Sequence, residues 1–209
     1  MKIFVQIGVY DGMDEFREFV KFEIPDLLIL VEPNSEMNDK IRQAYSKIIF
    51  PADLVIENVA ITEEDKGEVN LYHPKRRGKR TYEGKYNKCF SLLPMDDWGS
   101  EEQMLVVKVP SMSFMSLCRK YNLSKIDLLQ IDTEGYDVEI IKSINFDEVD
   151  ISAIIYEKWL FDQKCFTRYG DKAGLYGLNA MLDAKLLLNK LGYLVISKDA
   201  ANYIAFKNG

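Results

Sequence analysis

A Rossmann-like, doubly wound α/β fold, with a mostly parallel sheet and an antiparallel C-terminal hairpin, is what this 209-residue chain predicts. Three observations carry the prediction. Short apolar runs recur at 3–7, 27–31, 126–131 and 151–156, each of strand length and apolar enough to be covered on both faces. Stretches of helical period lie between them, and that alternation builds a parallel sheet with helices on its faces. The last two apolar runs, 193–197 and 203–206, are only a short turn apart and so pair as an antiparallel hairpin.

The elements follow in order. Strand 3–7 runs into the turn Gly8-Val9-Tyr10-Asp11-Gly12. Residues 13–20 read as a helix, with Phe16, Phe19 and Val20 at helical spacing and Asp14 and Glu15 in a first turn that favours carboxylates. Strand 27–31 ends in Glu32-Pro33, and a helix opening at Asn34 or Ser35 sets Met37, Ile41, Ala44 and Tyr45 on one face. Residues 54–61 read as one third strand, 68–72 as an additional short strand and 106–109 as another, while periodicity is absent between His73 and Leu105. A helix over 113–121 leads into strand 126–131, and a further helix begins at Tyr136. After strand 151–156 and an irregular stretch over 165–174 comes the longest helix, 175–191, closed by Gly192 as a glycine cap.

Composition sets the frame. The chain is 47% hydrophobic and has no Ser/Pro-rich linker, so a single domain over 1–209 is expected, with a loop region at about 73–105 on its ligand side. A net charge of -6 argues against general nucleic-acid affinity. Cys89, Cys118 and Cys165 are odd in number and far apart, the pattern of reduced thiols, and His73 is the one histidine, so no metal site is expected. The first apolar run is short and interrupted by Gln6, unlike a signal peptide, and no apolar stretch approaches the roughly 20 residues that span a bilayer. A soluble, cytoplasmic protein without a membrane partner is the expectation.

Two features point to an adenosine-bearing cofactor. Gly8 and Gly12 lie in the turn after strand one, where glycine lets a ligand approach the backbone. Glu32 ends strand two, where a carboxylate can accept both ribose hydroxyls. The turn lacks the middle glycine of the dinucleotide fingerprint and carries Asp11, which repels a pyrophosphate but suits a cationic sulfonium. S-adenosylmethionine is therefore favoured over a nicotinamide cofactor. Asn58 and Ala60 close the third strand, where the adenine ring would lie, although Asn58 equally suits a strand cap. Asp132 and Glu134 follow strand 126–131 at the edge where open α/β sheets bind ligands, and a helix-capping role for Asp132 or Thr133 is the alternative. A Rossmann-like sheet with one antiparallel edge is the architecture of a large class of methyltransferases.

Several segments together resemble one family, the FkbM-type methyltransferases. Gln6-Ile7-Gly8-Val9-Tyr10-Asp11-Gly12 resembles its glycine loop, Val31-Glu32-Pro33-Asn34 its Glu-Pro-Asn segment and Asn58-Val59-Ala60-Ile61 its third-strand ending. Ile126 through Asp137, with its Ile-Asp-Thr-Glu-Gly core, is similar to its most distinctive signature, and Ile154-Ile155-Tyr156-Glu157 to its fifth strand. The resemblance implies a class I S-adenosylmethionine-dependent O-methyltransferase acting on hydroxyls of sugars, glycans or natural products. It places Gln6, Gly8, Tyr10, Asp11, Gly12, Glu32, Pro33, Asn58, Ala60 and Asp132 around the cofactor. Val9 and Tyr10 stand where the family usually has Ala-Asn, and residues 73–105 match nothing except that Ser91-Leu92 resembles a small-residue segment lining the site.

Methyl transfer to a hydroxyl needs alignment and a nearby base. Asp132 is the first candidate, followed by Glu134, His73 and Lys158. Residues 75–88 hold seven basic side chains against Glu83 alone, net +6 within a chain of -6, with Tyr82 and Tyr86 interleaved. That composition suits an acceptor-binding lid for an anionic sugar or glycan, with Arg77, Arg80, Tyr82, Ser91, Glu157 and Arg168 as substrate contacts. Two other readings are an RNA-directed methyltransferase using the basic segment and a non-catalytic cofactor-binding protein of the same fold.

Overall fold

The computed structural model describes residues 1–50, 53–74, 90–93, 104–158 and 178–207. The strands are β1 (Ile3–Ile7), β2 (Leu27–Val31), β3 (Leu54–Glu57), β4 (Ala60–Thr62), β5 (Gly67–Pro74), β6 (Met104–Ser113), β7 (Lys125–Ile131), β8 (Asp150–Glu157), β9 (Tyr193–Ser197) and β10 (Asn202–Lys207). The helices are α1 (Glu15–Phe22), α2 (Asn38–Tyr45), α3 (Phe114–Tyr121), α4 (Asp137–Ser143) and α5 (Leu178–Lys190). Seven strands form one sheet in the order β3-β2-β1-β7-β8-β10-β9. All neighbours from β3 to β8 are parallel, and β10 runs antiparallel to both β8 and β9.

The period of two along each strand sorts the core into two layers. Ile3, Val5 and Ile7 face α3, α4 and α5 together with Leu129 and Ile131. Phe4, Leu28, Leu30 and Leu128 face α1 and α2, where Phe16, Ile41 and Tyr45 are fully buried. Connections leave β1 toward β2 on one side, and β7 continues toward β8 on the other. The order thus reverses between β1 and β7, which opens a crevice at their carboxyl ends.

Local differences from the sequence reading have specific causes. The expected third strand over 54–61 breaks in two. Asn58 donates to the Glu32 carbonyl at 2.9 Å and exchanges amide hydrogen bonds with Asn38, so the chain turns there. β4 then leaves the main sheet for a second, three-stranded one in the order β4-β6-β5. β5 and β6 extend beyond the expected 68–72 and 106–109 because they pair with each other from Gly67–Ser111 to Pro74–Met104, and β6 continues to Ser113 against β4. α1 starts two residues late because Asp14 caps it, accepting from the Arg17 N–H at 3.2 Å. A single 3-10 turn over Ser35–Met37 precedes α2. The irregular stretch expected over 165–174 lies outside the described residues, as do the first residues of the expected final helix. Among the described residues no helix is long and apolar enough to cross a membrane.

One close approach joins the two halves of the sheet. Gly8 has φ +83, and a Cβ built there would lie 1.8 Å from the Asp132 carbonyl oxygen. The Asp132 N–H donates to the Ile7 carbonyl at 2.9 Å, and the Gly8 N–H to the Val31 carbonyl at 2.9 Å, so β1 is held on both sides. Gly8→Ala is therefore expected to destabilise the fold by ~3 kcal/mol or more, combining backbone strain with overpacking. Chemical denaturation against wild type measures it.

Candidate active site

The site assembles where β1, β2 and β7 end side by side. A cavity of about 190 Å³ opens there, walled by the Gly8–Asp11 loop, Glu32-Pro33, Val59–Ile61 and Asp132–Glu134. Met13 and Asp14 close one side, and Leu71, Phe90 and Leu92 bring an apolar wall from the small sheet and the segment beside it. Glu32 and Asp132 follow strands on either side of β1, roughly 10 Å apart by the ordinary strand spacing.

Glu32 is held by the loop that it faces. Its Oε2 accepts from the Tyr10 N–H at 2.7 Å and its Oε1 from the Asn34 N–H at 2.8 Å. Burial raises its carboxyl to about 7, against the pull of the Asn34, Tyr10 and Val9 amides. Each oxygen keeps a second lone pair, which suits a ligand with two adjacent hydroxyls. Tyr10 adopts φ +51 to deliver its N–H, a left-handed conformation that costs a non-glycine residue ~1 kcal/mol.

The Asp132–Asp137 segment is built around a buried acid. Asp137 is fully buried, and its Oδ1 accepts from the Thr133 N–H at 2.9 Å and the Thr133 hydroxyl at 2.5 Å. Its Oδ2 accepts from the Glu157 N–H at 2.9 Å, so one carboxylate ties the end of β8 to the turn after β7. Tyr136 is the N-terminal flank of α4 and makes no side-chain cap, so neither Asp132 nor Thr133 caps that helix. Glu134 takes φ +55 with Gly135 at φ +106, a strained turn steadied by the Ser91 hydroxyl, which donates to the Glu134 carbonyl at 3.0 Å. Asp132 is half-buried against the cavity, and burial first, then the charges of Glu134, Asp137 and Asp14, push its carboxyl well above the usual range. Asp14 is raised as well, by burial, although the Gln6 amide donates to it.

The predicted site residues thus separate into two groups. Gly8, Tyr10, Asp11, Glu32, Pro33, Ala60, Asp132 and Glu134 meet on the cavity wall. Gln6 and Gly12 support the loop from behind: Gln6 is buried and bonds Asp14, and the Gly12 N–H closes a turn onto the Val9 carbonyl at 3.1 Å. Asn58 is engaged with Asn38 and the Glu32 carbonyl. His73 lies behind the wall, its ring 4.7 Å from that of Phe90. Lys158 turns to the closing hairpin, where it bonds Ser197 and lies 5.1 Å from the Tyr203 ring centre. Ser91 and Glu157 are buried and act on the Glu134 and Asp137 segments. Arg77, Arg80, Tyr82 and Arg168 lie outside the described residues. Sequence reasoning missed Asp14 as a wall residue, because a first-turn acid reads as a dipole partner, and missed Leu71 and Phe90, because no period marks them.

The donor set identifies what fits. Among the described residues the wall carries Asp11, Asp14, Glu32, Asp132 and Glu134, and no lysine, arginine or histidine. Such a wall attracts a cationic cofactor and repels a pyrophosphate. The strand order and the antiparallel β10 are those of the class I S-adenosylmethionine-dependent methyltransferases. The chain belongs to the FkbM methyltransferase family: the methyltransferase FkbM domain matches residues 6–195. No curated protein matches it. Among the solved structures similar to it in fold are two O-methyltransferases. One is the O-methyltransferase TomG from Streptomyces achromogenes, involved in tomaymycin synthesis and solved with S-adenosylmethionine, at 7% identity and TM-score 0.55 over 100% of this chain and 74% of that one. The other is the O-methyltransferase from Bacillus cereus with S-adenosylhomocysteine, at 8% identity and TM-score 0.52 over 99% and 74%. The domain and its fold give S-adenosylmethionine as the cofactor.

The raised Glu32 carboxyl makes binding depend on pH. Between the ordinary carboxylate range and about 7, the empty folded protein holds a proton that the unfolded chain has released. This group's contribution to stability therefore falls as pH rises through that window. If Glu32 takes the ribose hydroxyls, they donate to its ionised form, and cofactor affinity changes in the opposite sense. The dissociation constant is expected to rise by up to ~tenfold per pH unit below about 7. Glu32→Gln should bind weakly with a flat profile, because one amide N–H₂ must face a backbone donor. Calorimetric titrations between pH 5 and pH 8 on both proteins check this, spanning the ~1–2 units either side of the transition.

Proposed function

We propose that this protein is an O-methyltransferase that transfers a methyl group from S-adenosylmethionine to a hydroxyl of a sugar, glycan or related small molecule. The observation that carries the reading is Asp132, a carboxyl of raised proton affinity on the cavity wall beside the glycine loop. Glu32 would hold the ribose, with Pro33, Val59 and Ala60 as the apolar wall for the adenine, and Asp11 and Asp14 would face the amino-acid end. When bound, the cofactor supplies an electrophilic methyl group on a sulfonium. Asp132 would accept the hydroxyl proton at its carboxylate, which frees the acceptor oxygen to take the methyl group that the cofactor would supply. Glu134 orients the acceptor, and the apolar wall of Leu71, Phe90 and Leu92 excludes water.

The acceptor's charge follows from the same wall. With carboxylates as its described charged groups, the cavity favours a neutral hydroxyl at the reacting position. An anionic part of the acceptor belongs with the basic residues between 75 and 88. The described residues stop at Pro74 and resume at Phe90, and near those ends Tyr72 and Ser91 exchange backbone hydrogen bonds of 2.8 and 3.1 Å beside the cavity.

Asp132→Asn is expected to keep cofactor affinity within ~threefold and to lower turnover by ~10²-fold or more, the range for a lost general base. Glu134→Gln should raise KM for the acceptor more than it lowers kcat. Methyl transfer from labelled S-adenosylmethionine, screened over nucleotide sugars and glycans, with parallel calorimetry, separates the two effects. Loss of cofactor binding in Asp132→Asn would make Asp132 an anchor in place of a base.

A further inference from the structure

The acidic turn after β7 is tied to the small sheet through the hydroxyl of Ser91. This residue is buried, and its backbone pairs with Tyr72 of β5 in both directions. Its side-chain oxygen accepts from the Leu93 N–H at 3.0 Å and donates to the Glu134 carbonyl at 3.0 Å. A hydroxyl has one proton to donate, and this one is committed inside the protein. Ser91 is set back from the cavity, whereas Phe90 and Leu92 on either side of it stand on the wall. One residue thus joins the apolar wall to the turn that carries Asp132 and Glu134.

The carbonyl that Ser91 holds is placed to govern that turn. Glu134 takes φ +55 and Gly135 φ +106, and the peptide between them carries the bonded carbonyl. A residue with a side chain leaves the left-handed region unless its surroundings hold it there. Asp137 holds one side, through the Thr133 N–H at 2.9 Å, and Ser91 holds the other. Burial comes first in raising the Asp132 carboxyl, and Glu134 is the charge that acts on it most strongly, ahead of Asp137 and Asp14. Relaxing residue 134 to an ordinary conformation would re-aim its carboxylate and weaken that effect.

We infer that Ser91 is a positioning residue that keeps the Glu134 carboxylate close to Asp132, and so links the Tyr72–Ser91 bridge to the acidic end of the cavity. Its meaning for catalysis rests on Asp132 as the base of the proposed reaction, and the link itself does not. The ribose end is separate: the Tyr10 and Asn34 donors that hold Glu32 make these bonds without Ser91.

A double-mutant cycle, read by carboxyl-carbon NMR of Asp132 against pH in the full chain, tests the link without an acceptor. Glu134→Gln removes the neighbouring charge and should shift the Asp132 transition to lower pH. Ser91→Ala should shift it the same way by a smaller step, and should add nothing in the Glu134→Gln background. Ser91→Cys, of similar size and with a weaker donor, should fall between serine and alanine, and it carries the cycle if Ser91→Ala does not fold. Calorimetric affinity for S-adenosylhomocysteine should stay within ~twofold of wild type in the Ser91 variants. Equal shifts from Ser91→Ala in both backgrounds would make Ser91 a packing residue and overturn the link. So would an Asp132 transition that neither Glu134→Gln nor Ser91→Ala moves, or lost S-adenosylhomocysteine binding in a folded Ser91 variant. If the cycle holds and no hydroxyl is methylated, the proposed reaction fails and the link stands.

Discussion

The contact between Gly8 and the Asp132 backbone fixes where everything else in the site can be. β1 and β7 are the central strands, and they approach at their carboxyl ends so closely that no side chain fits at position 8. That approach sets the glycine loop directly beside the acidic turn. Glu32 then reaches the loop from the next strand and takes the Tyr10 amide, and Asp137 reaches back to Thr133 and across to Glu157. Three strand ends and the turn between them become one rigid edge, cross-tied by carboxylates accepting backbone N–H groups.

The same carboxylates do two kinds of work. Asp137 and Glu32 are committed to the backbone, and their acidity is softened by burial. Asp132, Asp14 and Glu134 face the cavity, and burial first, then the repulsion of neighbouring carboxylates, raises the proton affinity of Asp132. The strained backbone of Tyr10 and Glu134 is maintained because each is held at a hydrogen-bonded end, the first by Glu32 and the second by Ser91. An unliganded wall of like charges is electrostatically costly, and a cationic cofactor relieves it. Structure and affinity are in this sense the same property of the site.

Much of this was readable from the residues in order. Apolar runs of strand length gave β1, β2, β7 and β8 almost to the residue, because strands buried on both faces leave an uninterrupted pattern. Gly8, Glu32 and Asp132 stood at the ends of those strands, so their convergence followed from topology. What was hidden depends on contacts between distant residues. The break after β3 needs Asn58 to find Asn38, and nothing in the order of residues pairs those two positions. The small β4-β6-β5 sheet forms through pairing across a long aperiodic stretch, and it alone brings Leu71 to the cavity. Asp137 reads as an ordinary acid in a first helical turn, yet it is the most deeply buried carboxylate of the site.

If the wall of carboxylates organised by the Gly8–Asp132 approach holds a sulfonium cofactor, isothermal titration of the wild-type protein with S-adenosylmethionine, S-adenosylhomocysteine and NAD in parallel will give one-to-one binding of both adenosyl compounds, tighter for the cationic S-adenosylmethionine, and none of NAD. Binding of NAD, or of neither adenosyl compound, would show that the wall serves something else.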